Sequence, residues 1–378
     1  VIVIDTADAR GVFSDMRTVA AEFALAFHAM PVTMVAHGRG IRERGMRGVW
    51  CVVCVGVGLA GGGALGAPPP DYGYTWATIG DPGNDPFPGE NGINVNRGGV
   101  GYAYRMATTE VTVGHWLEFV EAYAPYAEDP GSRDLSGSFI FPRQATNDIG
   151  YTYEVIPGFE NTPTNLSWRM AARYVNWLHN DKAITRDAFE SGVYDTATFT
   201  QNADGTFNDQ TTRSPGARYW IPSLDEWLKA VYYDPHKGGV GGWWTQPAGS
   251  DDALVPGAPG DGGETNAGQF NTFTWAAHRQ VGSYAFITTP WGLLDASGGM
   301  AEWTEEWGNP AFRNRRIVQG SNMFTSGLPS LDDSILNSLG APPTAVSIYG
   351  LRLASAIPSP GGVPALVLAW TLARRRVR

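Results

Sequence analysis

Trp220-Ile221-Pro222-Ser223-Leu224-Asp225-Glu226-Trp227 reads as a short strand, a turn and the opening of a helix. Ser223 is a capping hydroxyl for the first free amides of that helix, and Glu226 stands in its first turn, where a carboxylate can reach back to them. The helix is expected over Leu224 to Tyr232. Upstream, Tyr102-Ala103-Tyr104-Arg105-Met106 alternates like a strand. Glu110-Val111-Thr112 then leads into a helix from Val113 to Tyr123, with Trp116, Phe119, Val120 and Tyr123 on one face. A further helix is expected from Ser167 to Asn180, capped by Asn165 or Ser167, with Trp168, Ala171, Ala172, Val175 and Leu178 as its apolar face. Beyond Asp234 the chain is mostly loop, with short strands expected at Gln280 to Ser283, Arg316 to Gln319 and Gly350 to Ala354. No linker or repeat interrupts Tyr72 to Ser355.

Composition agrees with an irregular, well-packed body. Hydrophobic residues make up 43% and charged residues 17%, enough apolar surface to exclude general disorder. Glycine (48) and proline (26) are abundant, and 14 Trp and 15 Tyr can anchor loops by their large apolar faces. The net charge of -10 is unevenly spread: residues 68–355 hold 17 basic against 32 acidic groups. An acidic body excludes nucleic acid as a partner, because phosphate binding needs a basic face.

The ends read as export signals. Residues 1–33 begin with Val and show no sustained pattern, and are expected to be a gene-model extension. Residues 34–67 are expected to be a signal peptide. Arg39, Arg42, Arg44 and Arg47 precede an apolar run from Val49 to Leu59, and Ala64-Leu65-Gly66-Ala67 offers a cleavage site. Both cysteines, Cys51 and Cys54, lie in that run, so the mature domain, residues 68–355, is expected to contain no thiol. Residues 356–378 comprise a Pro/Gly breaker, an apolar stretch from Val363 to Ala373 and a tail of Arg374, Arg375, Arg376 and Arg378. As a helix the stretch spans only ~20 Å, short of the ~30 Å hydrocarbon core. This tail resembles the PEP-CTERM sorting signals of Gram-negative bacteria, with Ser359 where the motif has Glu. The resemblance implies an extracellular or cell-envelope location and a membrane sorting protease as partner.

Five ordered motifs of the body resemble the formylglycine-generating enzyme (sulfatase-modifying factor) family. They are Met106 with Glu110-Val111-Thr112, Trp116 and Phe119; Pro163 to Ala171 around Ser167-Trp168; Trp220 to Trp227; Gly292 to Trp303; and Gly350-Leu351-Arg352. The resemblance implies an irregular, loop-rich α+β fold related to the C-type lectin fold. Enzymes of this family hold Cu(I) with two cysteines shortly after an Arg-Gly-Gly-Ser-aromatic motif. Here the matching stretch is Gln319-Gly320-Ser321-Asn322-Met323-Phe324, and Thr325 and Ser330 stand at the cysteine positions. Hydroxyls do not suit that soft ion. Copper is therefore not expected, and formylglycine-generating oxidase activity is not expected either. Calcium is the cofactor the resemblance allows, with Asn266 and Glu302 as ligand positions, although Gly299 replaces the asparagine of the family's Gly-Asn-Val-x-Glu-Trp loop.

Three functions stay open on the sequence. The first is a non-catalytic binding module for a surface glycan or peptide, with Trp243 and Trp244 as a stacking platform between glycine-rich loops. The second is a family enzyme using another metal, such as non-haem iron, although His115, His179, His236 and His278 show no helical ligand spacing. The third is a structural envelope protein. Glu302, Glu305 and Glu306 read as a solvated acidic face, and His179 as a charge at a helix C-terminus.

Overall fold

The computed structural model describes residues 68–90, 92–144, 150–269, 278–324 and 329–357. The proposed leader and the arginine tail lie outside these residues, as does Thr325. Helices are numbered α1 (Val113–Tyr123), α2 (Arg133–Ser136), α3 (Trp168–His179), α4 (Arg186–Glu190), α5 (Leu224–Tyr232) and α6 (Pro329–Asp332). None of the described helices is long and apolar enough to cross a membrane.

Each long helix begins where its capping residue dictates. Thr112 accepts from the His115 amide at the start of α1, and Ser167 accepts from the Met170 amide at the start of α3. At α5, Ser223 and Glu226 bond reciprocally, with the Ser223 amide donating to Glu226 Oε2 at 2.7 Å. The predicted apolar faces of α1 and α3 are buried. Asn176, on α3, is also fully buried and satisfied on both sides. It donates to Phe189 O and Tyr194 O and accepts from the Val193 and Tyr194 amides, which ties α3 to the loop after α4.

Two four-stranded sheets frame these helices. In the first, Trp76–Ile79, Tyr104–Ala107, Ala354–Ser355 and Tyr219–Trp220 lie side by side, all antiparallel, with Met106 opposite both Ala77 and Ala354. The last strand of the domain thus sits between Tyr104–Ala107 and Tyr219–Trp220. The second sheet runs Leu339–Ala341, Arg316–Gln319, Ala301–Trp307 and Tyr349–Gly350, and its last pairing is parallel. Gln280 to Ser283 forms turns rather than a strand. Gly282 has φ +77° there and its amide donates to Asp295 Oδ2, which bends the segment inward.

Four indoles hold the core: Trp116, Trp168, Trp227 and Trp303 are fully buried. Each N–H is satisfied, by Leu135 O, Thr304 O, Glu302 Oε2 and Leu166 O respectively. A buried indole contributes its large apolar area only if that polar handle is paired. Arg316 adds a second device. Its guanidinium lies between the rings of Trp168 and Trp307, 3.7 and 3.9 Å from their centroids, and donates to the carbonyls of Gln210, Thr211 and Glu305.

Candidate functional site

The strand Arg316–Gln319 delivers the chain to Gly320, whose φ of +77° turns it beneath Ala296. Ser321 follows, buried. Its Oγ accepts from the Gly298 amide at 2.9 Å, and its own amide donates to Asp333 Oδ1 at 3.0 Å. Ser297 Oγ lies 2.7 Å from Asp333 Oδ2 and 2.8 Å from Thr265 Oγ1. Burial pushes the Asp333 carboxyl up to about 6, with the Ser297 and Ser321 donors pulling against it. This is the stretch whose sequence resembles the family's copper motif, and its donor set is hydroxyls around one carboxylate. No cysteine occurs after Cys54. Cu(I) requires soft ligands, so these residues do not fit it. Ser330 stands on α6, where its carbonyl accepts from Gln246 Nε2 at 3.1 Å.

Beside this network lies a buried carboxylate pair. Glu302 accepts from Arg352 through both oxygens at 2.7–3.0 Å, and from Trp227 Nε1 at 2.6 Å. The rest of the Arg352 guanidinium is spent on the carbonyls of Ala107, Thr108, Leu294 and Asp295. Glu110 accepts from the Met300 amide at 2.9 Å through Oε1, while Oε2 is buried without a hydrogen-bond partner. Burial, and then the negative charge of Glu302, hold the Glu110 carboxyl well above the usual carboxylate range. Gly299 (φ +56°) passes directly over Glu110, where any Cβ would collide with the carboxyl oxygens. In this chain the position therefore has room for glycine alone.

The two calcium positions expected from the sequence are held by other partners. Asn266 Oδ1 accepts from the Gly299 amide at 2.8 Å, bracing that loop. A cation on Glu302 would have to displace Arg352 from its carboxylate. Among the described residues no three His, Cys, Asp or Glu side chains are grouped to hold a metal. Trp243 and Trp244 are both half-buried. Trp243 lies against Phe87 and Tyr233 and donates to Asp85 O at 3.2 Å. Trp244 donates to Asp234 Oδ2 at 3.2 Å and carries Lys237 Nζ over its ring at 3.6 Å.

Two sequence readings are corrected. Glu302 and Glu305 form no solvated face, since both are buried. His179 is no cation at a helix end: its Nδ1 lies 3.2 Å from the Arg218 amide as acceptor, and burial, then Arg218, hold it below its ordinary value.

Glu305 and the buried Glu226 share Arg213, which lies 3.1 and 2.8 Å from them. Tyr194 OH donates to Glu305 Oε1 at 2.6 Å. Burial raises the Glu305 carboxyl to about 7 against the pull of Arg213. An unfolded glutamate releases its proton near ~4.3. The folded state therefore binds more protons between these values. The stabilisation is complete below the unfolded value and is lost as pH rises through about 7. Urea midpoints of the parent are expected to fall from pH 4.5 to 7.5, and Glu305→Gln is expected to make that fall shallower. An unchanged slope would contradict the assignment.

A cleft of about 860 Å³ lies between the end of α1, α2, α3 and α4. Arg173 lies over the rings of Tyr123 and Phe199 and pairs with Glu190 at 3.3 Å. Arg186 lies over Tyr126, 5.6 Å from its centroid, with no hydrogen-bond or ion-pair partner among the described residues. Arg169 is spent on Asp209 at 2.7 and 3.0 Å. Asp134 lines the floor. Its Oδ1 is buried without a partner, and burial raises its carboxyl although Ser167, Arg173 and Arg169 pull it down. Sequence reading missed this site. The signal available was Arg169 and Arg173, one turn apart on the polar face of α3.

Capped helices, two small four-stranded sheets and a motif loop buttressed by Glu302–Arg352 define a loop-rich α+β domain with the fold of the formylglycine-generating enzyme family, without thiols among its described residues. The chain belongs to the sulfatase-modifying factor enzyme 1-like domain family, whose model matches residues 95–357. Solved structures similar to it include CarF, at 20% identity and TM-score 0.47, covering 76% of this chain and 99% of that one. Treponema denticola variable protein 1 is similar at 17% identity and TM-score 0.45, covering 75% and 95%. PvdO from Pseudomonas aeruginosa is similar at 15% identity and TM-score 0.36, covering 75% and 92%. Comparison with curated proteins gives no match.

Proposed function

We propose that this protein is an exported, non-catalytic ligand-binding member of the family, displayed at the cell envelope of a Gram-negative-type bacterium. One observation carries the reading. Where the family's copper enzymes use two thiolates, this chain has Thr325 and Ser330, and the neighbouring Ser321 is engaged in holding loops together. A fold kept without its reactive groups retains its surface, and function then resides in what that surface binds. Export rests on the leader-like segment 34–67 and the sorting-like tail 356–378, which implies a membrane sorting protease as processing partner.

The test uses the protein recovered from its own cells. It is expected in the envelope fraction or the medium, and that material should give saturable binding to at least one ligand on a glycan and peptide array. Recovery from the cytoplasm, a blank array, or stoichiometric iron or copper would overturn the proposal.

A further inference from the structure

We propose that the cleft between α1 and α3 binds an acidic saccharide, with Arg173 and Arg186 gripping the sugar carboxylate; this rests on the ligand-binding reading above. A guanidinium held against an aromatic ring still has N–H groups to offer a planar anion. Arg173 on Tyr123 and Phe199, and Arg186 on Tyr126, are two such groups lining one cleft. Arg186 is exposed and unpaired, and Glu190 meets Arg173 only at 3.3–3.4 Å. The cleft volume, about 860 Å³, lies within the range of small-ligand sites.

The rest of the lining selects among carboxylate ligands. Hydroxyls of Ser132, Ser191, Thr200 and Thr344, with the lining carboxylates Glu128, Asp129, Asp187 and Asp195, offer acceptors for a ligand rich in hydroxyl donors. A peptide would want a free strand edge for its backbone. The lining residues belong to helices and turns instead.

Isothermal calorimetry on the full chain tests this with uronate tetramers (galacturonate, glucuronate and mannuronate), their carboxyl-reduced counterparts and a tetraglutamate peptide. At least one uronate should bind, with its reduced form at least tenfold weaker. Arg186→Ala should weaken it at least tenfold while leaving the urea midpoint unchanged, and Arg173→Gln should do the same to binding. The site assignment falls if no uronate binds, if the reduced form binds equally, if Arg186→Ala has no effect, or if tetraglutamate binds as tightly. An array ligand untouched by Arg186→Ala would overturn the cleft alone, whereas a blank array would overturn the ligand-binding reading as well.

Discussion

Replacing Arg352 with leucine is expected to cost roughly 3–5 kcal/mol of folding stability, the effect of removing one partner from a buried ion pair. The side chain is completely buried and is the cation facing Glu302. Its removal leaves the buried Glu302 carboxyl without its cation, beside Glu110, whose carboxyl is held well above the usual range by burial and by Glu302. It also strips donors from four backbone carbonyls that join the strand Tyr104–Ala107 to the Leu294–Asp295 loop. With total stabilities of about 5–15 kcal/mol for folded domains, a loss of this size should move the urea midpoint by a large fraction of its value. Adding Glu302→Gln to the Arg352→Leu variant should recover part of the loss, because the buried charge goes with it. A single variant with the parental midpoint would show that the pair does not anchor the loop.

Helices were the legible part of this fold. Local chemistry decides a cap, so Thr112, Ser167 and Ser223 mark the starts of α1, α3 and α5. The strand Ala301–Trp307 was hidden. It is buried on both faces, so it shows no alternation, and its glutamates look like surface residues until their partners are known. Those partners, Arg352 and Arg213, stand 50 and 92 residues away in the chain. Gly350 to Ala354 read as one strand for a related reason. Arg352 turns inward between Leu351 and Leu353, which splits the segment into Tyr349–Gly350 in one sheet and Ala354–Ser355 in the other.

The loss of thiols at the motif position was visible in the sequence, because it is a matter of residue type. The cleft was not. Tyr126, Asp134, Arg173 and Arg186 come from four separate segments, and nothing in their spacing shows that they meet.

The second large effect is catalytic and all-or-none. A copper-thiolate oxidation needs a sulfur pair at the motif, and from Ser321 to Phe324 the chain offers a hydroxyl, an amide, a thioether and a ring. A hydroxyl ligand binds Cu(I) too weakly to substitute for thiolate. The full chain and a Cys51→Ser/Cys54→Ser variant should be incubated with Cu(I), oxygen and a panel of cysteine-containing peptides, and the peptides read by mass spectrometry and aldehyde capture. Every peptide cysteine is expected to survive unconverted to formylglycine with both proteins. Catalytic appearance of the aldehyde, above all with the variant that lacks both cysteines, would contradict the account.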